Sequence, residues 1–288
     1  GISGARFESR LLMERVLGVD STFLIARPDR ELDTHEWSRW RDFVARRCRR
    51  EPMAYILGER EFWSLPLKTT VDTLIPRPDS ETLIGAALAW VDRQGVDSQG
   101  SDSQGSDSQG VDGRGRALDV LDLGTGSGCL LVALLSELPR ARGTGIDISD
   151  AALDVARANA DLTGVGGRAR FVRGDWGDGL TGVFDLIVAN PPYVAEADFA
   201  ALQDEVACFE PRRALAGGAD GLDCYRAVIP QIGGFLRPSG AAFFEIGAGQ
   251  GPAVVEMAQY SGLQVAGIES DLAGIDRCVA FVPQGRRF

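Results

Sequence analysis

From position 117 onward, short apolar runs rich in β-branched residues alternate with helical stretches, and a glycine-rich turn joins the first run to the first helix. This alternation predicts strands over 117–123, 143–147, 169–173, 184–189, 241–246, 265–268 and 278–282, with helices over 129–138, 151–163, 222–236 and 253–260. Ser149 or Asp150 is placed to cap the second of those helices. Strands that alternate with helices build a sheet covered on both faces, since each helix must bury its apolar stripe. The expected fold class is α/β, a doubly wound sheet, with its ligand in the crevice outside the carboxyl ends of the central strands.

The first 58 residues follow a different rhythm. Leu11, Leu12 and Val16, then Trp37, Trp40 and Val44, recur at helical spacing, which predicts a small helical bundle over 1–58. Its run Arg46, Arg47, Arg49, Arg50 reads as a solvated helix face or as a surface for an acidic partner. A linking segment over 59–78 carries β-prone stretches within 61–75, which suggests a hairpin, and the main domain then occupies 79–288, opening on a helix near Asp79 that runs through Leu83, Leu88 and Trp90. An insertion over 94–116 holds four tandem pentads of Asp, Ser, Gln and Gly with almost nothing to bury, so a disordered surface loop is expected there.

Composition narrows the chemistry. His35 is the one histidine, and the five cysteines are widely spaced without a Cys-x-x-Cys pair, which excludes imidazole triads and leaves no expected metal site. Cys129 opens a helix, where a thiol pKa can fall, although core packing is the plainer reading. A net charge of −11 disfavours a nucleic-acid footprint and fits a protein or small-molecule partner. The chain lacks a run apolar enough to span a membrane, so a cytoplasmic monomer is the expectation. Residue 1 is Gly, which suggests a trimmed chain or a removed segment.

The candidate site assembles from strand ends. The strand closing on Asp122 runs into Gly124, Thr125, Gly126, Ser127 and Gly128, where glycine lets the backbone turn tightly and approach a ligand. Asp147 ends the next strand, roughly 20 residues on, where a carboxylate can take both hydroxyls of a ribose. Asp175 and Trp176 follow the third strand, placed to bond and pack an adenine. Together these indicate a nucleoside cofactor. Asn190, Pro191, Pro192 and Tyr193 come directly after the apolar strand 184–189. The prolines fix the chain and remove donors, so the Asn190 side-chain oxygen and the Pro191 carbonyl can each accept one hydrogen of a flat NH2 group, with Tyr193 packed beside it. A rigid turn closing a strand is the bland alternative.

Several motifs then agree: Glu51-Pro52-Met53-Ala54-Tyr55-Ile56-Leu57-Gly58, Glu61-Phe62-Trp63, Leu74-Ile75-Pro76-Arg77-Pro78, the glycine turn, Gly174-Asp175-Trp176, Asn190-Pro191-Pro192-Tyr193, Glu210-Pro211-Arg212 and Gly221-Leu222-Asp223. With them the chain resembles the release factor glutamine methyltransferases, the HemK or PrmC family. The resemblance implies a Rossmann-like class I methyltransferase fold, a seven-stranded sheet with its last strand antiparallel, and an N-terminal helical domain that helps recognise the release factor. It implies S-adenosylmethionine as cofactor, S-adenosylhomocysteine as product, and a glutamine in a Gly-Gly-Gln motif as substrate. Asp122, Gly124, Thr125, Gly126, Gly128, Asp147, Asp175, Trp176 and Asn190 would then meet the cofactor. Asn190, Pro191, Pro192, Tyr193 and Arg77 would meet the substrate. An adenine-N6 methyltransferase of DNA or RNA, a ribosomal-protein glutamine methyltransferase and a noncatalytic cofactor-binding scaffold are the rival readings; acidity weighs against the first.

Overall fold

The computed structural model describes residues 2, 4–97 and 116–285. Helices α1 (Ala5–Leu17), α2 (Ser21–Ala26), α3 (Thr34–Cys48) and α4 (Met53–Leu57) form the N-terminal bundle. Local signals set their ends: Gly18 closes α1 in the left-handed region, and Asp33 with Glu36 forms a reciprocal capping box on α3. Leu12 and Val16 are buried as their spacing implies, but Trp37 is 51% exposed and no residue of α3 is fully buried. A bundle this small has little interior to offer. Instead α3 docks through Arg39, whose guanidinium donates to the Val16 carbonyl at the end of α1 at 3.2 Å.

A hairpin follows, β1 (Glu59–Phe62) and β2 (Leu65–Lys68), shorter and earlier than its sequence suggests. Its two-residue turn puts Trp63 and Ser64 at positive φ, 52° and 58°, which a tight hairpin requires and non-glycine residues resist. Tertiary bonds hold the turn there: the Trp63 amide donates to Glu81 and its indole to Glu137, at 2.9 and 2.8 Å. Val71, expected to be strand, lies in a turn instead, and Leu74 and Ile75 lie in backbone that is neither helix nor strand. Phe62 and Leu67 belong to the main core, so the hairpin is part of the larger domain's packing rather than a free link. Burying each contributes about 2 kcal/mol.

Helix α5 (Glu81–Asp97), entered through a short 3-10 turn at Pro78–Ser80, continues four residues into the 94–116 segment expected to be disordered. Positions 98–115 lie outside the described residues. The remaining elements are β3 (Asp119–Leu123), α6 (Cys129–Glu137), β4 (Arg142–Asp147), α7 (Asp150–Leu162), β5 (Ala169–Arg173), β6 (Phe184–Ala189), α8 (Asp204–Phe209), α9 (Asp223–Phe235), β7 (Leu236–Glu245), α10 (Gly251–Tyr260), β8 (Leu263–Ser270) and β9 (Asp276–Pro283). Seven strands form one sheet in the order β5-β4-β3-β6-β7-β9-β8, with β9 antiparallel to both its neighbours.

Period-two alternation gives the sheet two apolar faces. Val120, Leu186, Val188 and Phe243 point to one side, under α5 and α6; Leu121, Leu123, Ile187 and Phe244 point to the other, under α9 and α10. Central strands buried on both faces read as continuous apolar runs, as Leu186 to Ala189 does.

Polar ties align the parts. Asn159 of α7 has no exposed surface; its Oδ1 accepts from the Lys68 amide at 2.7 Å, and its Nδ2 donates to the Lys68 and Ser127 carbonyls at 3.1 and 2.9 Å. One amide thereby fastens the hairpin to the glycine turn. Asn159→Ala strands these buried groups, and we expect a loss of about 3 kcal/mol, measured as the shift in the urea midpoint. A loss below about 1 kcal/mol would mean that water takes the vacated positions.

The bundle is tied to the larger domain as well. Arg47 bridges Glu8 of α1 and Glu205 of α8 at 2.8 and 3.0 Å, and Arg50 also meets Glu205. Part of the basic run thus faces the chain's own acidic residues. Ala54 and Tyr55 pack with Ile75 and Phe209, and the Tyr55 hydroxyl donates to the Thr73 carbonyl at 2.8 Å. No helix among the described residues is long and apolar enough to cross a membrane.

Candidate functional site

A cleft opens at the carboxyl ends of β3, β4, β5 and β6, where a doubly wound sheet places its ligand. Of the residues singled out in the sequence, Arg77, Gly124, Thr125, Gly126, Asp147, Asp175, Trp176, Asn190 and Pro192 line it together. Asp122, Gly128, Pro191 and Tyr193 do not. Asp122, Gly128 and Tyr193 pack behind the wall, and Pro191 is buried.

The three turn glycines differ in role. All have positive φ, 69°, 54° and 79° at Gly124, Gly126 and Gly128. A side chain at Gly124 would come within 3.4 Å of the Trp176 ring, and one at Gly128 would press on Ala156 of α7 at 3.0 Å, so these two allow close packing. Gly126 borders the open space. Its amide donates to Asp147 Oδ2 at 2.9 Å, while the Ser149 amide donates to Asp147 Oδ1 at 2.9 Å. Asp147 therefore joins two strand-end turns, and each of its oxygens keeps further acceptor capacity for a ligand diol.

Asp122 sits beneath the turn with no exposed surface; Oδ2 accepts from the Thr125 hydroxyl at 2.6 Å, and Oδ1 has no partner among the described residues. Burial, reinforced by the charge of Asp147, pushes its pKa from 3.8 up to about 7, against the Thr125 hydrogen bond. Such a carboxyl binds more protons folded than unfolded across that interval, so its contribution to stability is complete at low pH and is lost as pH rises toward 7. Asp122→Asn should flatten the dependence of Tm on pH between about 4 and 7 and stabilise the protein at pH 8 by about 1–3 kcal/mol. An unchanged slope would show that Asp122 stays charged throughout.

At the other wall, Asn190 leaves the end of β6 and its Nδ2 donates to the hydroxyl of Ser80, which is 1% exposed, at 3.1 Å. Tyr193, expected to flank the substrate, instead packs into the core cluster of Tyr225 and Phe244, and its hydroxyl donates to Glu245 Oε1 at 3.2 Å. Burial pushes the Glu245 pKa up to about 6, opposed by hydrogen bonds from Ser80 and Tyr193 and by the charge of Arg277. Gln250 staples the backbone here: its Nε2 donates to the Tyr193 and Gly221 carbonyls at 3.0 and 3.3 Å. Gly221 has to be glycine, with φ 79° and a Cβ position only 2.4 Å from the Tyr193 carbonyl oxygen.

Arg77 is held by Glu210, which is 6% exposed and whose second oxygen accepts from the Ile75 amide at 3.2 Å. Arg213 lines the cleft and donates to the Ser149 hydroxyl at 2.7 Å. Burial pushes the Cys129 thiol up to about 12, so its helix end does not activate it. Ser80, Glu245, Gln250 and Arg213 carry no sequence motif of their own; each acquires its place through a contact far along the chain.

The residues fit a cofactor that combines a cation, a vicinal diol and a flat base. Carboxylates at Asp147 and Asp175 line the cleft, Asp122 lies below with an unpartnered oxygen, and the indole of Trp176 lines it as well. No cluster of His, Cys, Asp or Glu among the described residues could hold a metal ion.

Two family models match this chain. The family model described as the PrmC N-terminal domain matches residues 1–58, and that of the methyltransferase small domain matches 110–209. A release factor glutamine methyltransferase of Rhodospirillum rubrum is 43% identical over 97% of this chain and 79% of its own length. One from Bradyrhizobium diazoefficiens is 41% identical over 96% of this chain and 87% of its own. Among solved structures, the hMettl16 catalytic domain, in complex with a 3'UTR hairpin, aligns with a TM-score of 0.55 over 91% of this chain and 92% of its own at 14% identity, a likeness of fold.

Proposed function

This chain belongs to the release factor glutamine methyltransferases, and from that premise we propose that it methylates the side-chain amide nitrogen of the glutamine in a release factor's Gly-Gly-Gln motif, with S-adenosylmethionine consumed and S-adenosylhomocysteine left. The observation that carries the reading is the convergence in one cleft of Asn190, at the end of β6, with the glycine turn, Asp147 and Trp176. The cofactor, when bound, supplies a methyl group activated on a sulfonium. Asp147 would hold its ribose hydroxyls, Asp175 and Trp176 its adenine, and Gly126 would let the backbone approach it.

The remaining work falls to the wall of Asn190. An amide nitrogen is a poor nucleophile because its lone pair is delocalised into the carbonyl. An acceptor at Asn190 Oδ1 would draw one of its hydrogens into a fixed direction, orient the lone pair and weaken that delocalisation. No strong base is needed, because the proton becomes acidic once the nitrogen carries the methyl group. A chain with one histidine, His35 in α3, suits such a mechanism. Arg77, pinned by Glu210, would steer the substrate loop at the cleft mouth.

The test is transfer of a labelled methyl group from S-adenosylmethionine to a recombinant release factor. Label should appear on the factor and vanish when its Gly-Gly-Gln glutamine is replaced. Label on duplex DNA, with the factor left blank, would replace this reading with that of an adenine methyltransferase.

A further inference from the structure

We propose that Arg213 is a clasp over the cleft, a side chain that ties its two walls together and has to let go for the cofactor to enter and its product to leave. The inference rests on the reading of this cleft as the S-adenosylmethionine site. One contact carries it: the Arg213 guanidinium donates to the Ser149 hydroxyl at 2.7 Å, and both residues line the cleft. They stand on opposite sides of it.

The order of the strands places them so. Ser149 follows β4, in the turn where its amide holds Asp147 Oδ1 at 2.9 Å. Arg213 belongs to the 3-10 turn Arg212–Ala214, which is stitched to the chain leaving β6: the Val194 amide donates to the Leu215 carbonyl and the Gly217 amide to the Val194 carbonyl, both at 2.9 Å. Val194 directly follows the stretch from Asn190 to Tyr193, so Arg213 projects from the Asn190 wall toward the Asp147 wall. In the sheet, β3 lies between β4 and β6. The bond therefore crosses above the carboxyl end of β3, where Gly124, Thr125 and Gly126 line the cleft.

This tie is built differently from the others on that wall. Glu210 is buried and answers to two partners, the Arg77 guanidinium and the Ile75 amide, and Leu215 is buried as well. Releasing either disturbs packed structure. Arg213 is exposed and makes a single hydrogen bond among the described residues, to a neutral hydroxyl. An exposed side chain changes rotamer far faster than a dilute ligand arrives, so entry and exit run at the intrinsic rate multiplied by the open fraction. A net hydrogen bond of ordinary size favours closed over open about fivefold. The Ser149 hydroxyl stays in place when the guanidinium swings away, because it also accepts from the Ala152 amide at 3.3 Å as the cap of α7.

Stopped-flow binding of S-adenosylhomocysteine, read through tryptophan fluorescence with Trp176 in the cleft as reporter, tests this on wild type, Arg213→Ala, Ser149→Gly and the double variant. Each is first shown to melt within a few degrees of wild type. The ligand carries no net charge, so loss of one cation leaves its electrostatic steering unchanged. Glycine is tolerated at an N-cap, so Ser149→Gly removes the acceptor and spares the helix. Arg213→Ala should raise the association and dissociation rate constants together, each about fivefold, with Kd within about twofold of wild type. Ser149→Gly should speed association by the same factor, and the double variant should match either single one within about twofold. The two rates in Arg213→Ala decide the matter even where Ser149→Gly folds poorly. A rise in dissociation alone would make Arg213 a direct ligand of the cofactor, and unchanged rates would make the bond incidental; either result, or an additive double variant, overturns the clasp. A wild type that binds no S-adenosylhomocysteine sinks the reading of the cleft and the clasp with it. One that binds it yet leaves the release factor unlabelled sinks the substrate assignment alone.

Discussion

Asn190→Ala lowers kcat about a hundredfold while the Kd for S-adenosylmethionine stays within about twofold of wild type. The size follows from what is removed. Asn190 is the one side-chain acceptor at the end of β6, in a wall made rigid by two prolines and by Gln250, so no neighbour can swing in to replace it. Loss of one preorganised hydrogen-bonding group aimed at a reacting centre typically costs 10²–10³ in rate. Single-turnover transfer to a release factor, with cofactor affinity measured separately by calorimetry, checks both halves. A variant with undiminished kcat would remove Asn190 from the mechanism, and a parallel collapse of cofactor affinity would recast it as a cofactor ligand.

Asp147→Ala divides its effect the other way: cofactor affinity falls about a hundredfold and kcat at saturation changes less than about threefold. Charge-assisted hydrogen bonds are worth about 1.5–3 kcal/mol each, and this carboxylate serves the ligand while holding the Gly126 and Ser149 amides at 2.9 Å. Asp147→Asn, with one acceptor oxygen in place of two, should fall between. Titration with S-adenosylhomocysteine measures the loss directly. Wild-type affinity in Asp147→Ala would mean that the carboxylate only braces the two turns.

How much of this could be read beforehand depends on how local each cause is. β5 and β6 match their expected bounds, because a β-prone run between turn residues is a local property. β7 starts at Leu236, five residues early, because Pro238, Ser239 and Gly240 break the apolar pattern while the sheet still pairs Leu236 with Phe184 across a register shift. The hairpin could not be delimited from its own residues, since Glu81 and Glu137 hold its turn from distant positions. The same division runs through the cleft. The glycine turn, Asp147 and Asn190 follow strands directly and could be found by order alone. Ser80 is 110 residues from Asn190, and Glu210 is 133 from Arg77, so no spacing rule connects either pair. Tyr193 was legible as part of a motif, but its direction was decided by Glu245, 52 residues on.

The Tyr55 hydroxyl, anchored on Thr73, has a bearing on where this protein can be cut. Thr73 is a wall of the cleft, and its backbone leans on the last turn of the N-terminal bundle. A chain severed after Gly58 would keep every group proposed to touch the cofactor yet lose the buttress behind Thr73, Leu74 and Ile75. The bundle is thus as much masonry for the catalytic chamber as a separate module beside it.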